Sequence, residues 1–191
     1  ERNAETHKSR KDAVLIASGK YIMFLDADDE LFSNAFEIAY KAIEKNRTDA
    51  IRFGVQHIDI QGNFIMTGAF RLTKTSEKIE DSNWVCLFDK GKIKGWNIWD
   101  KIYNASLCKK AFEQMEDDYF VMAEDVYFYF VFGYFATSYS TIENVIYKYR
   151  QGFGVWSGIG NQISLKQYMI LISQKKTLDA ILRFYETKHD A

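Results

Sequence analysis

Apolar and polar positions change their spacing along the chain, and each change predicts an element. Residues 1–20 are polar and basic around a short apolar stretch, Ala13–Ala17, and read as a helix closed by Gly19 as a C-cap. Tyr21–Leu25 is an unbroken apolar run of strand length, suited to the buried middle of a sheet. Ser33 offers an N-cap for a helix through about Lys45, with Phe36, Ala39 (beside Tyr40) and Ile43 as its buried stripe. Ile51, Phe53 and Val55 alternate as a half-buried strand does, and Gln61-Gly62-Asn63 is a turn into a short strand, Phe64–Met66.

Residues 67–82 are polar and irregular and read as a surface loop. Trp84–Phe88 begins a short helix, and Gly95–Lys101 is rich in aromatics without a clear period. Ala105–Phe112 and the very aromatic Glu124–Phe135 are predicted helices, and Ile142–Tyr149 a strand. Gly152–Gly160 carries four glycines and reads as a loop. Over 163–186 the spacing places Tyr168, Leu171, Leu178, Leu182 and Tyr185 on one face of an amphipathic helix. Strand and helix patterns in alternation predict an α/β domain.

Composition narrows the function classes. The chain has 191 residues, enough for one domain with a sizeable core. A net charge of −1 gives no basic excess of the kind that suggests a polyanion partner, so no nucleic-acid partner is expected. Cys86 and Cys108 form no CxxC or Cys/His cluster, so they read as reduced, buried side chains of a cytosolic protein. No apolar run approaches the roughly 20 residues that span a bilayer, and the charged Glu1–Lys11 stretch is unlike a signal peptide.

The densest chemistry is Asp26-Ala27-Asp28-Asp29-Glu30, four carboxylates in five positions at the end of an apolar strand. Such charges repel one another unless a cation sits among them, and hard oxygen ligands suit Mg2+ or Mn2+. The carboxyl end of a strand in an α/β sheet is also where ligands bind. The competing reading is an acidic loop that caps the next helix. Glu124-Asp125 likewise reads as helix N-terminal charge. Trp96, Trp99 and Tyr103 stack on a sugar ring in one reading and belong to the core in the other. His7, His57 and His189 have no partner spacing and read as incidental.

Taken in order, these segments resemble one family. Ala17-Ser18-Gly19-Lys20-Tyr21-Ile22-Met23-Phe24-Leu25-Asp26-Ala27-Asp28-Asp29 resembles the A-x-G-K-Y-I-x-F-L-D-x-D-D stretch of family-2 glycosyltransferases. Arg10 falls where that family has the Arg of S-x-A-R-N-x-G, although Lys11 and Ala13 replace its Asn and Gly. Ser33 stands where many members have a Pro. Trp99-Asp100-Lys101-Ile102-Tyr103 resembles W-x-K-L-Y, Glu124-Asp125-Val126-Tyr127-Phe128 resembles E-D-x-x-F, and Tyr147-Lys148-Tyr149-Arg150 resembles Y-x-Y-R.

The resemblance implies a GT-A-type α/β fold with a mostly parallel sheet, flanking helices and a C-terminal helical appendix. Residues 1–150 would form a partial catalytic domain, with 151–191 packed on it. The implied reaction is metal-dependent, inverting transfer of a sugar from a nucleotide diphosphate-sugar, a UDP-sugar first, to a glycan or lipid-linked acceptor in bacterial surface polysaccharide synthesis. Asp28 and Asp26 would hold Mn2+ or Mg2+, and Asp26, Asp28, Asp29, Arg10 and Arg150 the donor's diphosphate. Asp125 would be the general base with Glu124 beside it, and Trp96, Trp99 and Lys101 would meet the acceptor. Two alternatives stand: a non-catalytic carbohydrate-binding relative, and a nucleotidyltransferase. The expected location is cytoplasmic or peripheral at the inner face of the membrane. The family's first nucleotide-binding strands have no counterpart here, so the chain reads as a fragment with an open sheet edge, and a homodimer through that edge is the matching expectation.

Overall fold

In this computed structural model, residues 6–67, 77–78, 96–118, 120, 123–152 and 165–189 are described. In chain order their elements are α1 (Thr6–Ile16), β1 (Tyr21–Met23), β2 (Glu30–Leu31), α2 (Ala35–Asn46), β3 (Ala50–Ile58), β4 (Phe64–Thr67), β5 (Glu77–Lys78), β6 (Lys101–Asn104), α3 (Ala105–Gln114), α4 (Glu124–Phe135), β7 (Ser138–Arg150) and α5 (Leu165–His189). The predicted Trp84–Phe88 helix and most of the Gly152–Gly160 loop lie outside the described residues.

The sheet is organised around β3. Its Ile51, Phe53 and Val55 pack with Ala35, Ala39 and Ile43 of α2 on one face. On the other face Ala50 joins a larger core with Phe112 of α3 and Tyr127, Phe128 and Phe132 of α4. A strand buried on both faces is not the half-buried strand that its alternation suggests: Arg52, on the second face, is only 4% exposed. Strand order is β1-β6-β3-β7-β2, with β4 beside β3 and β5 beside β7. Only β3 and β7 run parallel among the described pairs, so the sheet is mixed where a mostly parallel one is expected. The difference has a simple cause. β6 and β4 follow each other along one edge of β3, both antiparallel to it, and sequence alternation carries no information on pairing direction.

Several local expectations shift. α1 ends at Ile16 and Gly19 is not left-handed, so the glycine does not cap it. β1 pairs with β6 alone and has no strand on its outer side among the described residues, although its apolar run suggests a central strand. α2 begins after Asn34 rather than at Ser33, and it buries Ala35, Ala39 and Ile43 while Phe36 and Tyr40 are exposed. Those two rings line an apolar groove of about 670 Å³ along the outer side of β1 with Tyr21 and Met23. The turn at Gly62, by contrast, is as expected: its φ is +89°, and Asp59 Oδ1 accepts from the Gln61 and Asn63 amides at 2.9 and 2.8 Å.

β7 runs from Ser138, four residues earlier than its apolar alternation predicts, because Asp49 anchors its start. Asp49 Oδ2 accepts from the Thr137 and Ser138 amides at 2.7 and 3.0 Å, fixing the register of the parallel pair. That register slips around Gly54, where β7 comes close. A Cβ there would sit 2.9 Å from Val145 Cγ2 and 3.1 Å from the Asn144 carbonyl. Gly54→Ala is therefore expected to destabilise the chain by about 1–3 kcal/mol, the usual cost of overpacking. Urea denaturation measures this, and an unchanged midpoint would contradict the close approach.

Candidate active site

The site begins where β1 leaves the sheet. Phe24 anchors that point in the core, 5.8–5.9 Å from the rings of Tyr103 and Phe128. The Asp29 amide then donates to the Asp26 carbonyl at 3.1 Å, closing a turn with Ala27 and Asp28 exposed at its tip. Asp29 points inward. Tyr147 Oη donates to its Oδ2 at 2.6 Å and the Arg150 amide to its Oδ1 at 2.8 Å. Burial pushes its carboxyl up to about 6, against the pull of these two hydrogen bonds.

Arg150 completes this brace. Its Nε donates to the Asp28 carbonyl at 3.0 Å, and its Nη1 to the Asp59 and Ile60 carbonyls at 3.0 and 3.3 Å, while Nη2 pairs with Glu30. Asp29 and Arg150, expected to meet a diphosphate, are thus committed to holding the turn against β7. Asp28 is the carboxylate that the turn leaves exposed at its tip, and Asp26 beside it is partly exposed.

A second carboxylate station lies at the N-terminus of α4. Ala123 enters the helix in the left-handed region, at φ 64°, and Glu124 and Asp125 follow in the first turn. Arg10 of α1 brings the two stations together. Its Nη2 lies 2.7 Å from Asp26 Oδ1 and its Nη1 2.5 Å from Asp125 Oδ1 and 3.5 Å from Glu124 Oε1. The Arg10 side chain is 13% exposed, so these contacts form in a partly desolvated place where charge–charge interactions are strong. Burial pushes Glu124 up to about 7 with help from the neighbouring Asp125, and Arg10 opposes the rise. Asp125 is raised as well, chiefly by burial, against Arg10 and the Ile98 amide. Arg10, expected at the diphosphate, here spans the site instead.

The Ile98 amide, 3.3 Å from Asp125 Oδ2, is held by what lies beneath it. Tyr103 Oη donates to the Ile98 carbonyl at 3.1 Å, and Lys101 Nζ to the Asn97 carbonyl at 2.6 Å. Lys101 Nζ is also 2.5 Å from Asp100 Oδ1, whose Oδ2 accepts from Arg52 Nε at 2.7 Å. Lys101 is 0% exposed, so it holds the loop from below rather than meeting an acceptor at the surface. Trp99 lies against the rings of Tyr147 and Tyr149, with centroids at 4.9 and 5.0 Å, and Trp96 is 52% exposed. Of the expected acceptor contacts, Trp96 alone has a largely open surface. His7, expected to be incidental, is buried between Phe112 and Phe120.

Sequence reasoning missed the roles of Tyr147, Arg52, Asp100 and the Ile98 amide. Arg52 left a signal, as a lone charge inside an apolar strand. A backbone amide leaves none.

The sequence profile of Glycosyl transferase family 2 matches residues 1–115, more than half of the chain. The chain belongs to this family. A glycosyltransferase of Methanocaldococcus jannaschii, MJ1057, itself described as uncharacterised, is 44% identical over 66 residues, which are 34% of this chain and 23% of that protein. Among solved structures, S. aureus TarS 1–349 in complex with UDP-GlcNAc has a TM-score of 0.61 at 17% identity, covering 92% of this chain and 48% of that one. TarS 1–349 in complex with UDP has a TM-score of 0.52 at 20% identity, covering 76% and 40%. Identities this low show a shared fold. The chain spans about half the length of TarS 1–349 and under a quarter of MJ1057.

The family member's raised carboxyls give its stability a defined pH dependence. Glu124 ordinarily titrates at 4.5 and here at about 7, so between these values the folded chain binds a proton that the unfolded chain has lost. Its contribution to stability is therefore full below about pH 4.5 and is lost as the pH rises towards 7. Glu124→Gln should remove this share and flatten the fall in stability between pH 4.5 and pH 8 by about 1–3 kcal/mol. Urea titrations at both pH values measure it, and parallel curves for the two proteins would contradict the burial of Glu124.

Proposed function

We propose that this chain carries the metal-binding turn and the general base of an inverting glycosyltransferase that moves a sugar from a nucleoside diphosphate-sugar to a hydroxyl of a glycan or lipid-linked acceptor. The observation that carries this reading is the junction at Arg10, which sets the Asp26–Asp28 turn beside Asp125, 115 positions along the chain from Arg10 itself. UDP-GlcNAc and UDP are the ligands of TarS, and a UDP-sugar is the donor class proposed here. Bacterial surface polysaccharide synthesis is the proposed setting. Family membership favours sugar transfer over nucleotidyl transfer.

Asp125 is the proposed base. It takes the proton of the acceptor hydroxyl as that oxygen bonds to the anomeric carbon, and the diphosphate departs with the electron pair of the broken bond. Arg10 and the Ile98 amide hold its two oxygens, and each oxygen keeps a second lone pair for the acceptor. Arg10 favours the ionised form that a base requires.

Among the described residues no group of three or more His, Cys, Asp or Glu side chains is gathered to hold a metal ion. Asp28 and the outer oxygen of Asp26 fit a hard cation whose remaining ligands are phosphate oxygens and water, so Mn2+ or Mg2+ would bind together with the donor. When bound, such a cation offsets charge on the departing diphosphate. No helix among the described residues is long and apolar enough to cross a membrane. The proposed location is the cytoplasm or the inner membrane face.

The test uses the full-length enzyme. Calorimetry should show Mn2+ binding strongly only with a nucleoside diphosphate present, and Asp28→Ala should abolish it. Asp125→Asn should lower turnover by about 10²–10⁴-fold with donor affinity nearly unchanged. Equal binding by Asp28→Ala would refute the metal site. Near-normal turnover of Asp125→Asn, with loss in Glu124→Gln, would reverse the two roles.

A further inference from the structure

α5 is oriented against its own sequence pattern. Over residues 171–189, whose burial is described, Ser173, Thr177, Ala180 and Phe184 are the buried residues, and Phe184 packs on Tyr134 and Phe135 of α4 at ring distances of 5.4 and 6.4 Å. Ion pairs fasten this side of the helix, with Lys176 at 2.5 Å from Asp118 and Arg183 at 2.8 Å from Glu116. Of the larger apolar side chains expected to dock on the domain, those from Leu171 onward turn outward instead, and the Tyr168 side chain lies outside the described residues. Leu171, Leu178, Leu182 and Tyr185 are 57%, 60%, 55% and 45% exposed.

The spacing of that outer face identifies what would cover it. Leu171, Lys175, Leu178, Leu182, Tyr185 and His189 follow one another at intervals of four, three, four, three and four residues, and all six are exposed. Intervals of three and four in alternation are those of a coiled-coil seam, which fits another helix of like spacing. A single Lys in such a seam selects register and orientation. In a parallel pair of identical helices each seam residue meets its own counterpart, so Lys175 would face Lys175. In an antiparallel pair centred between Leu178 and Leu182, Leu178 meets Leu182 of the second copy and Lys175 meets Tyr185, a cation over an aromatic ring. Leu171 then meets His189, whose ring already lies 4.1 Å from that of Tyr185. Lys175 also holds Asp179 at 2.6 Å, so the flank of the seam carries no unpaired acid there.

We propose that α5 is a self-association surface: two copies of this chain pair antiparallel through Leu171, Lys175, Leu178, Leu182, Tyr185 and His189. This face is separate from the open side of β1 and does not depend on the proposed reaction. A contact of one helix on another is small, so the dimer is a weak one, with a midpoint on the order of 10–100 μM.

Sedimentation equilibrium of the full chain tests it. The chain is expected to pass from monomer to dimer across that range. Leu178→Glu and Leu182→Glu, both at exposed positions, should weaken dimerisation at least ~10-fold with unchanged circular dichroism, and Lys175→Leu should tighten it by a similar factor. Mixing Lys175→Glu with the unaltered chain separates the orientations: the antiparallel pair gives no preference for the mixed dimer, and a preferred mixed dimer would overturn the proposal in favour of parallel pairing. A chain that stays monomeric throughout, or one that stays monomeric and binds vesicles of phosphatidylserine and phosphatidylcholine through these leucines, would overturn it as well. So would dimerisation indifferent to both Glu substitutions.

Discussion

One guanidinium holds the candidate site together. Arg10 lies between three carboxylates from two distant parts of the chain, at 2.7 Å from Asp26, 2.5 Å from Asp125 and 3.5 Å from Glu124. Three acids gathered in a partly buried place repel each other and resist losing their protons. A fixed cation in their midst reverses part of both effects, and Arg is suited to the task because it stays charged when buried and its fork reaches two partners at once. The position of the guanidinium is set by α1. His7 and Val14, three positions before and four after Arg10, are both buried, so the face that carries Arg10 is pressed against the core.

Below this junction a second ion group extends the same logic. Arg52, Asp100 and Lys101 are 4%, 1% and 0% exposed, and a buried pair of this kind is destabilising when one member is lost. Its product is geometric. Lys101 and Tyr103 hold the carbonyls of Asn97 and Ile98, and the Ile98 amide between them is thereby aimed at Asp125. The aromatic density of α4 serves this arrangement too, since Phe128 and Phe132 pack edge-on against Tyr103 at 5.4 and 5.0 Å. Core packing, buried charge and site geometry are in this way one continuous structure.

Much of this was legible in the residues, and the failures have physical causes. The turn at Gly62, the helices α3 and α4 and the two carboxylate stations could be read because short-range chemistry determines them. The edge position of β1 could not, since an apolar run reports burial and not place in the sheet. Lys101 was misplaced for a related reason: a charged residue reads as exposed, and its burial depends on Asp100, Asn97 and the ring of Tyr129, 4.8 Å away. α5 shows the converse. Its apolar stripe was readable, but a stripe states only that a partner is wanted, and here the docked face is the one built from Ser173, Thr177, Ala180 and Phe184. Arg10 was singled out in the sequence, yet its contact with Asp125 joins residues that only the folded chain brings together.

Arg10 therefore does two things for the acids of α4: it holds them in place, and it limits the rise in proton affinity that burial imposes on both. Carbon-detected NMR titration of the Glu124 and Asp125 side-chain carboxyls, in the unaltered chain and in Arg10→Met, measures this second effect. Met retains the apolar length of the side chain and removes its charge. Both carboxyls are expected to titrate at clearly higher pH in Arg10→Met, because burial then acts without an opposing cation. Identical titration curves in the two proteins would contradict it.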